Sequence, residues 1–277
     1  MTARASRRQW LAGAACAGIA GAARGADDPF SLSGPATQSG AMHGRMPTGA
    51  RHLRLDTLDV PVAADGAFLI AFDRDAPGEA MLAADSDAGP LRRVIAIAPR
   101  AWSIEHVDAP MHPPGMPDAE FARRRAIELA AIGAARRQAS ACEGWRQAMI
   151  RPGHGPFSGR FGAQRVFRGV PAAYHAGLDI AAPAGSPILA PADAVVTLAA
   201  SAEPFTLEGH LLILDHGMGL CSALLHARRL VVEAGAVVRQ GQVLGEVGMT
   251  GRATGPHLHW ALTWRGRKLD PLLFLPA

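Results

Sequence analysis

The sequence contains no Gly-x-Ser-x-Gly nucleophile elbow and no glycine-rich phosphate-binding loop. These absences disfavour a serine hydrolase and a nucleotide-dependent enzyme, because each depends on the backbone geometry that its motif provides. Beyond the first 25 residues, no apolar run reaches the roughly 20 residues that a helix needs to cross a bilayer. We therefore expect a mature chain without a transmembrane anchor.

Cysteine is scarce, with three in 277 residues. Cys16 leaves a lipoprotein signal open, although Gly13 stands where such a signal carries a branched aliphatic residue. Cys142 and Cys221 follow much later. An oxidising compartment would permit a disulfide between them, but they fall in different predicted modules and sequence spacing does not establish proximity. Two free buried thiols are the preferred interpretation.

The first 25 residues have the composition of a signal peptide. Arginines between Arg4 and Arg8 precede an apolar stretch over residues 10–23, and small residues follow it. Residues 6–11 resemble the twin-arginine signature of the bacterial Tat exporter, which is preferred here over an ordinary Sec signal. The predicted protein is exported, and the arginine-rich composition favours the periplasm of a Gram-negative bacterium.

The formal net charge of +4 arises in this leading segment. Four arginines precede Asp27, the first acidic residue, and without them the basic residues equal the 24 acidic ones. The mature chain is then neutral, which gives no support to a nucleic-acid partner.

The length of the chain predicts two modules, because 277 residues exceed a typical domain of about 100–150 residues. Apolar residues alternate over 53–55, 60–62 and 68–72, and Asp65-Gly66 is a hairpin-turn signal. These patterns predict a small β domain over 28–108. After a proline-rich break, Asp118 is a candidate N-cap for a linker helix over 118–149.

Residues 152–277 predict a second β module. Short runs of branched aliphatic residues, such as those at 194–198, 211–214 and 231–232, alternate with glycine-containing turns. The predicted fold class is mostly β, with an antiparallel sheet in this second module.

Two imidazoles two positions apart, His257 and His259, lie near the C-terminus. In a strand they point to the same face, while Leu258 points to the opposite face. Upstream, His175 and Asp179 share a face in either a strand or a helix, and the nearby glycines and prolines favour an extended segment entering a loop. Two histidines and one carboxylate match a catalytic zinc site, which keeps its fourth position open for water.

The sequence resembles a known family, the M23 (lysostaphin-like, LytM-type) zinc metallopeptidases. The resemblance covers residues 157–271 and rests on five stretches in the family's order, namely residues 158–162, 175–183, 214–217, 241–245 and 251–260. The segment over 28–108 resembles, less specifically, the β domain that precedes the peptidase in some members. The resemblance implies Zn²⁺ bound by His175, Asp179 and His259, with His226 and His257 as catalytic histidines.

The resemblance also implies an activity, hydrolysis of peptide bonds in peptidoglycan stem peptides or cross-links by a zinc-activated water. The expected partner is therefore peptidoglycan, and a D,D-endopeptidase is the preferred subclass. One alternative is a catalytically silent module that activates a cell-wall amidase, although such relatives typically lack metal ligands. Another is an envelope protein with a structural zinc, although such sites usually have four protein ligands.

Two positions depart from the family pattern, and one acid–histidine pair is better interpreted as a turn than as a catalytic dyad. Leu224 stands where relatives commonly carry tyrosine, and His210 stands where many have asparagine. Neither is an expected ligand. Asp215 and His216 precede a glycine at a predicted strand end, which favours a turn over a catalytic dyad.

Overall fold

The computed structural model describes residues 29–108 and 116–276. The predicted signal peptide, Cys16 and most of the proline-rich break lie outside these residues. Within the described residues, no helix is long and apolar enough to cross a membrane.

The N-terminal module consists of two small antiparallel sheets that share one core. The first sheet has the order β1-β2-β5 and the second β4-β3-β6-β7. Every residue of β5 is buried, and Leu53, Leu55 and Phe72 pack with it in the core. The predicted turn at Asp65-Gly66 is present, with Gly66 at a φ of 83°. The strands are β1 (Ser31–Ser33), β2 (Ala41–Arg45), β3 (Arg51–Leu55), β4 (Leu58–Asp59), β5 (Ala67–Ala71), β6 (Glu79–Asp85) and β7 (Leu91–Ala96).

Two elements connect the modules. Strand β8 (Ile104–Val107) pairs in parallel with β10 (Gln164–Phe167) of the second module. Helix α1 (Asp118–Arg137) then packs Ile132 and Ala135 against one face of the large sheet.

A charged cluster also fixes α1. Arg125 donates two hydrogen bonds of 2.6 Å to the Glu208 carboxylate, and Glu128 accepts bonds from the backbone and side chain of Thr206. The linker helix is thus part of the second module's surface.

The second module is a large antiparallel sheet with the order β17-β14-β15-β16-β19-β12-β9, with β13, β18 and β20 attached to it. The strands of this sheet are β9 (Phe157–Gly159), β12 (Leu178–Ala181), β13 (Pro187–Leu189), β14 (Ala194–Phe205), β15 (Gly209–Asp215), β16 (Leu220–Leu230), β17 (Val237–Val238), β18 (Val243–Val247), β19 (His257–Trp264) and β20 (Arg267–Leu269). Strand β11 (Val170–Pro171) pairs with β10 in a separate small sheet that includes β8. Two 3₁₀ turns lie at Gly144–Arg146 and Pro271–Phe274.

Alternation along β19 separates the core from the site. Leu258, Trp260, Leu262 and Trp264 are fully buried on one face. His257 and His259 lie on the other face and line a cleft. Burial of the large apolar residues therefore fixes the register that presents both imidazoles together.

The prediction of a mostly β fold with an antiparallel sheet is confirmed, and three local features differ from expectation. The N-cap of α1 is Pro117 rather than Asp118, which is the first residue of the helix. Helix α1 ends at Arg137, because the chain beyond it binds the sheet: Ser140 N–H donates to Asp215 and Trp145 N–H to the His216 carbonyl. Residues 231–232 follow the end of β16 rather than forming a strand.

Candidate metal centre

Strand pairing places the candidate site residues side by side. Asp179 of β12 lies directly opposite His259 of β19, and Leu225 of β16 lies opposite His259 on the other side. His175 lies in the extended loop before β12. The sheet thus brings together residues that are 84 positions apart in the chain.

Three side chains converge on one point. His175 Nε2 lies 3.0 Å from Asp179 Oδ1 and 2.9 Å from His259 Nδ1, and His259 Nδ1 lies 2.7 Å from Asp179 Oδ1. Among the described residues, this is the one group of three or more histidine, cysteine or acidic side chains whose geometry allows it to hold a metal ion. Their assignment as ligands stays a prediction, and the structure places all three where it requires them.

The tautomer of His175 fits a cation at this point. His175 Nδ1 lies 2.9 Å from the Arg160 carbonyl, which can only accept, so Nδ1 carries the proton and Nε2 presents a lone pair. That lone pair and a carboxylate oxygen 3.0 Å away repel each other unless a proton or a cation lies between them. Two imidazole nitrogens and one carboxylate oxygen form a donor set that zinc accepts.

Burial and charge set the protonation of the group. Burial of Asp179 raises its pKa, but the contacts of its carboxylate with the imidazole rings of His175 and His259 outweigh burial and hold the pKa of Asp179 well below its usual value. Burial lowers the pKa of His259. Near neutral pH the group therefore contains an ionised carboxylate and a neutral His259.

Glycines allow the close approach of these side chains. A Cβ at Gly177 would lie 2.5 Å from His259 Nε2, and one at Gly159 would lie 2.4 Å from Asp179 Oδ2. Both distances are far below van der Waals contact, so any larger residue would displace a candidate ligand.

His226 and His257 flank the group. His257 Nε2 lies 3.8 Å from Asp179 Oδ1, and the rings of His226 and His257 are 4.7 Å apart. A regular strand would turn His226 to the face of buried Leu224, but its φ of 66° breaks the alternation, and it lines the cleft. A non-glycine residue in this backbone region is uncommon and points to a local functional constraint.

Both flanking histidines present an unprotonated Nε2 in their neutral form. His226 Nδ1 donates to the Thr250 carbonyl and His257 Nδ1 to the Gly255 carbonyl, each at 2.8 Å. Burial, followed by the charges of His259 and His257, lowers the pKa of His226 to about 3. His226 is therefore neutral near pH 7, with a lone pair available to accept a hydrogen bond.

The structure adds Arg165, which no sequence pattern indicated. Its Nη2 donates to Asp179 Oδ2 at 3.0 Å, so Oδ1 alone faces the two candidate histidine ligands. Glu105 of β8 lies 3.6 Å from Arg165 Nε. Both residues line a cleft of about 380 Å³ together with His226, His257 and His259.

The other residues singled out in the sequence have structural roles. Leu224 is buried in the core, and His210 Nδ1 contacts the Arg228 carbonyl. Asp215 is fully buried and accepts bonds from Ser140 and Gly217 N–H groups. Among the described residues, Cys142 and Cys221 are both free thiols as expected, but only Cys221 is buried and Cys142 is half-buried.

Comparison with known proteins agrees with this geometry. Residues 173–271 match the model of Peptidase family M23. A crystal structure assigned to peptidase M23 from Pseudomonas aeruginosa aligns with a TM-score of 0.67 and 28% identity, covering 88% of this chain and 96% of that one. The chain therefore contains a Peptidase family M23 domain over residues 173–271.

Curated relatives match over part of the chain. Peptidoglycan DD-endopeptidase ShyA of Vibrio cholerae is 37% identical over 98 residues, which is 35% of this chain and 22% of the relative. DD-carboxypeptidase/endopeptidase Mpg of Neisseria meningitidis matches to the same extent. The chain thus spans about a fifth of the length of these relatives.

Proposed function

We propose that this protein is a zinc metalloendopeptidase that hydrolyses peptide bonds in peptidoglycan stem peptides or cross-links. The observation that carries the proposal is the convergence of His175, Asp179 and His259 beside two further histidines in an open cleft. The M23 domain supports the reaction class, and the names of ShyA and Mpg support a D,D-endopeptidase.

His175, Asp179 and His259 would hold the zinc ion through Nε2, Oδ1 and Nδ1. When bound, zinc supplies a water of lowered pKa and polarises the substrate carbonyl. The protein keeps the donors in place: the Arg160 carbonyl fixes the tautomer of His175, and Arg165 occupies the second oxygen of Asp179. Such supporting contacts commonly determine metal affinity.

His257 would transfer protons, and His226 would accept a hydrogen bond beside the site. Each presents an Nε2 lone pair beside the site because its Nδ1 donates to a carbonyl. His257 borders the cleft with 16% of its side chain exposed, so it can accept a proton from the attacking water and return it to the leaving amine. His226 is more buried and has a strongly lowered pKa, so its role is to accept a hydrogen bond as a neutral base.

The complete donor set argues against the alternative of a silent amidase activator. A silent module would need no set of donors within 4.8 Å of one another and no pair of histidines turned into the same cleft. Export to the periplasm, where peptidoglycan is accessible, remains part of the proposal and rests on the signal-like leading segment.

Digestion of purified sacculi tests the proposed function. Zinc-loaded wild-type protein should release fragments whose masses correspond to hydrolysed peptide cross-links, as measured by mass spectrometry of the products. The His175→Ala variant should release none, and the His52→Ala variant, which alters an exposed histidine of the N-terminal module, should match the wild type. Absence of new fragments, or cleavage at glycosidic bonds, would contradict the proposal.

A further inference from the structure

A path of direct contacts connects the N-terminal module to the candidate ligand His175. It starts at Arg74, in the turn that follows β5, and passes through residues 160–163, which we name the ligand-supporting turn. Arg74 lies 88 residues from Gly162 in the sequence, so this path exists only in the folded two-module chain.

The ligand-supporting turn holds His175 at three points. Gly162 N–H donates to the His175 carbonyl, and His175 N–H donates to the Ala163 carbonyl, both at 2.8 Å. The Arg160 carbonyl accepts from the His175 ring at 2.9 Å. Any shift of this turn therefore moves both the backbone and the ring of His175.

Arg74 of the N-terminal module binds the same turn through its guanidinium group. Its Nε and Nη2 both donate to the Gly162 carbonyl, at 3.1 and 2.9 Å. Only 12% of the Arg74 side chain is exposed, and Nη1 bonds to Asp75. Because charge-assisted bonds in a fixed fork geometry are strong and directional, Arg74 determines the position of the Gly162 carbonyl.

Aromatic rings fix the guanidinium of Arg74 in turn. It lies 4.9 Å from the ring of Trp102 and 4.4 Å from that of Tyr174. Phe161 meets both rings edge-on at 5.9 Å. Tyr174 directly precedes His175, so this cluster also constrains the loop that carries the ligand.

The turn has no room to relax. Gly162 has a φ of 86°, and a Cβ there would lie 2.0 Å from the Trp102 ring. Gln164 N–H also donates to the Ser103 carbonyl, where the chain enters the parallel pairing of β8 with β10. The turn is therefore enclosed between segments of the N-terminal half and His175.

We propose that the N-terminal module is a working part of the metal centre, with Arg74 as a positioning residue for His175. The module thereby sets zinc affinity and coordination geometry. This inference rests on the proposed metal site, since it assigns a function to the contacts that support one of its ligands.

The test compares Arg74→Ala with a matched module-contact variant. Arg267 of the second module donates to the Ala71 carbonyl of the N-terminal module, and none of its contacts among the described residues is with the ligand-supporting turn. Zinc affinity is measured by chelator competition, and the visible spectrum of the Co²⁺-loaded full chain reports ligand geometry. Thermal unfolding of the metal-free proteins shows whether each variant folds.

We expect Arg74→Ala to bind zinc about tenfold more weakly, at the lower end of the range for supporting contacts, and to alter the Co²⁺ spectrum. Arg267→Ala should keep wild-type affinity and spectrum even if it unfolds at a lower temperature. If Arg74→Ala fails to fold, Arg74→Gln is used in its place, because glutamine keeps an amide donor but not the forked guanidinium. The same loss of zinc affinity is expected for Arg74→Gln.

Wild-type zinc affinity and spectrum in the folded Arg74 variant would overturn the inference. Equal weakening by Arg267→Ala would also overturn it, because general loosening of the modules would then explain the effect. A wild-type chain that binds no zinc would instead refute the proposed metal site, so the two failures are distinguishable.

Discussion

Replacing His257 with alanine separates metal binding from proton transfer. His257 Nε2 lies 3.8 Å from Asp179 Oδ1, whereas the candidate ligand nitrogens of His259 and His175 lie 2.7 and 3.0 Å from it. The three-donor group therefore stays complete in His257→Ala. We expect this variant to retain zinc and to lose most of its turnover.

The magnitude follows from the lost group. A positioned general base typically contributes about 10²–10⁴ in rate, which corresponds to roughly 2.7–5.4 kcal/mol of the activation barrier. The bond from His257 Nδ1 to the Gly255 carbonyl is also lost, at a cost to stability of about 1 kcal/mol. The variant should therefore fold and be nearly inactive.

The assay is kcat/KM for cleavage of a purified cross-linked muropeptide, with zinc content measured by mass spectrometry on the same samples. His52→Ala serves as the control, because His52 is exposed and pairs only with Asp85 among the described contacts. Loss of zinc from His257→Ala, or retention of more than about a tenth of the wild-type kcat/KM, would refute this division of roles.

Three further predictions follow from named contacts. Asp179→Ala should bind far less zinc than His257→Ala, measured by metal analysis after dialysis; equal occupancy would contradict its role as a ligand. His216 is fully buried and burial lowers its pKa, so unfolding should take up a proton below about pH 6.5, and the unfolding free energy should fall as pH decreases by up to about 1.4 kcal/mol per pH unit for this residue. Denaturant titrations of His216→Gln from pH 7 to 5 should show a shallower dependence of the unfolding free energy on pH. An unchanged dependence would count against this prediction. Arg125→Met should lower the unfolding free energy by about 1.5–3 kcal/mol, because it leaves Glu208 without its two charged hydrogen bonds. The control Arg124→Met, at an exposed ion pair, should change the unfolding free energy by less than about 1 kcal/mol. Equal effects of the two variants would contradict the anchoring of α1 by Arg125.

The pH prediction rests on a chain of hydrogen bonds with a fixed number of protons. Trp260 Nε1 donates to Ser222 Oγ, the Ser222 hydroxyl donates to His216 Nε2, and His216 Nδ1 donates to the Asp193 carbonyl. A second proton on His216 would place two donors against each other. The buried imidazole therefore stays neutral while the unfolded chain protonates, which gives the sign of the effect.

Local patterns in the sequence predicted how the candidate ligands are presented, and the resemblance to a known family implied their roles. The spacing of His257 and His259, with Leu258 and Trp260 between and after them, specifies a strand with one apolar face, and burial of those residues fixes its register. The glycines and prolines near His175 and Asp179 predicted an extended segment, and in the structure His175 lies just before β12 and Asp179 on it. The convergence of both pairs was an inference from their chemistry, and the β12 and β19 pairing places them together.

Long-range contacts explain what the sequence did not predict. Nothing near Arg165 or Arg74 in the chain marks them as neighbours of the site, because their partners are defined by tertiary packing. The positive φ of His226 reverses the face expected from alternation. The end of α1 at Arg137 depends on bonds to Asp215 and His216 in the distant sheet, which propensity alone does not encode.

Anomalous scattering at the zinc absorption edge, from crystals of the zinc-loaded protein, tests the central claim most directly. One strong peak bounded by His175 Nε2, Asp179 Oδ1 and His259 Nδ1, with no fourth protein ligand, is the predicted result. A peak elsewhere, no peak, or a fourth protein side chain on the ion would contradict the assignment of a catalytic metal centre.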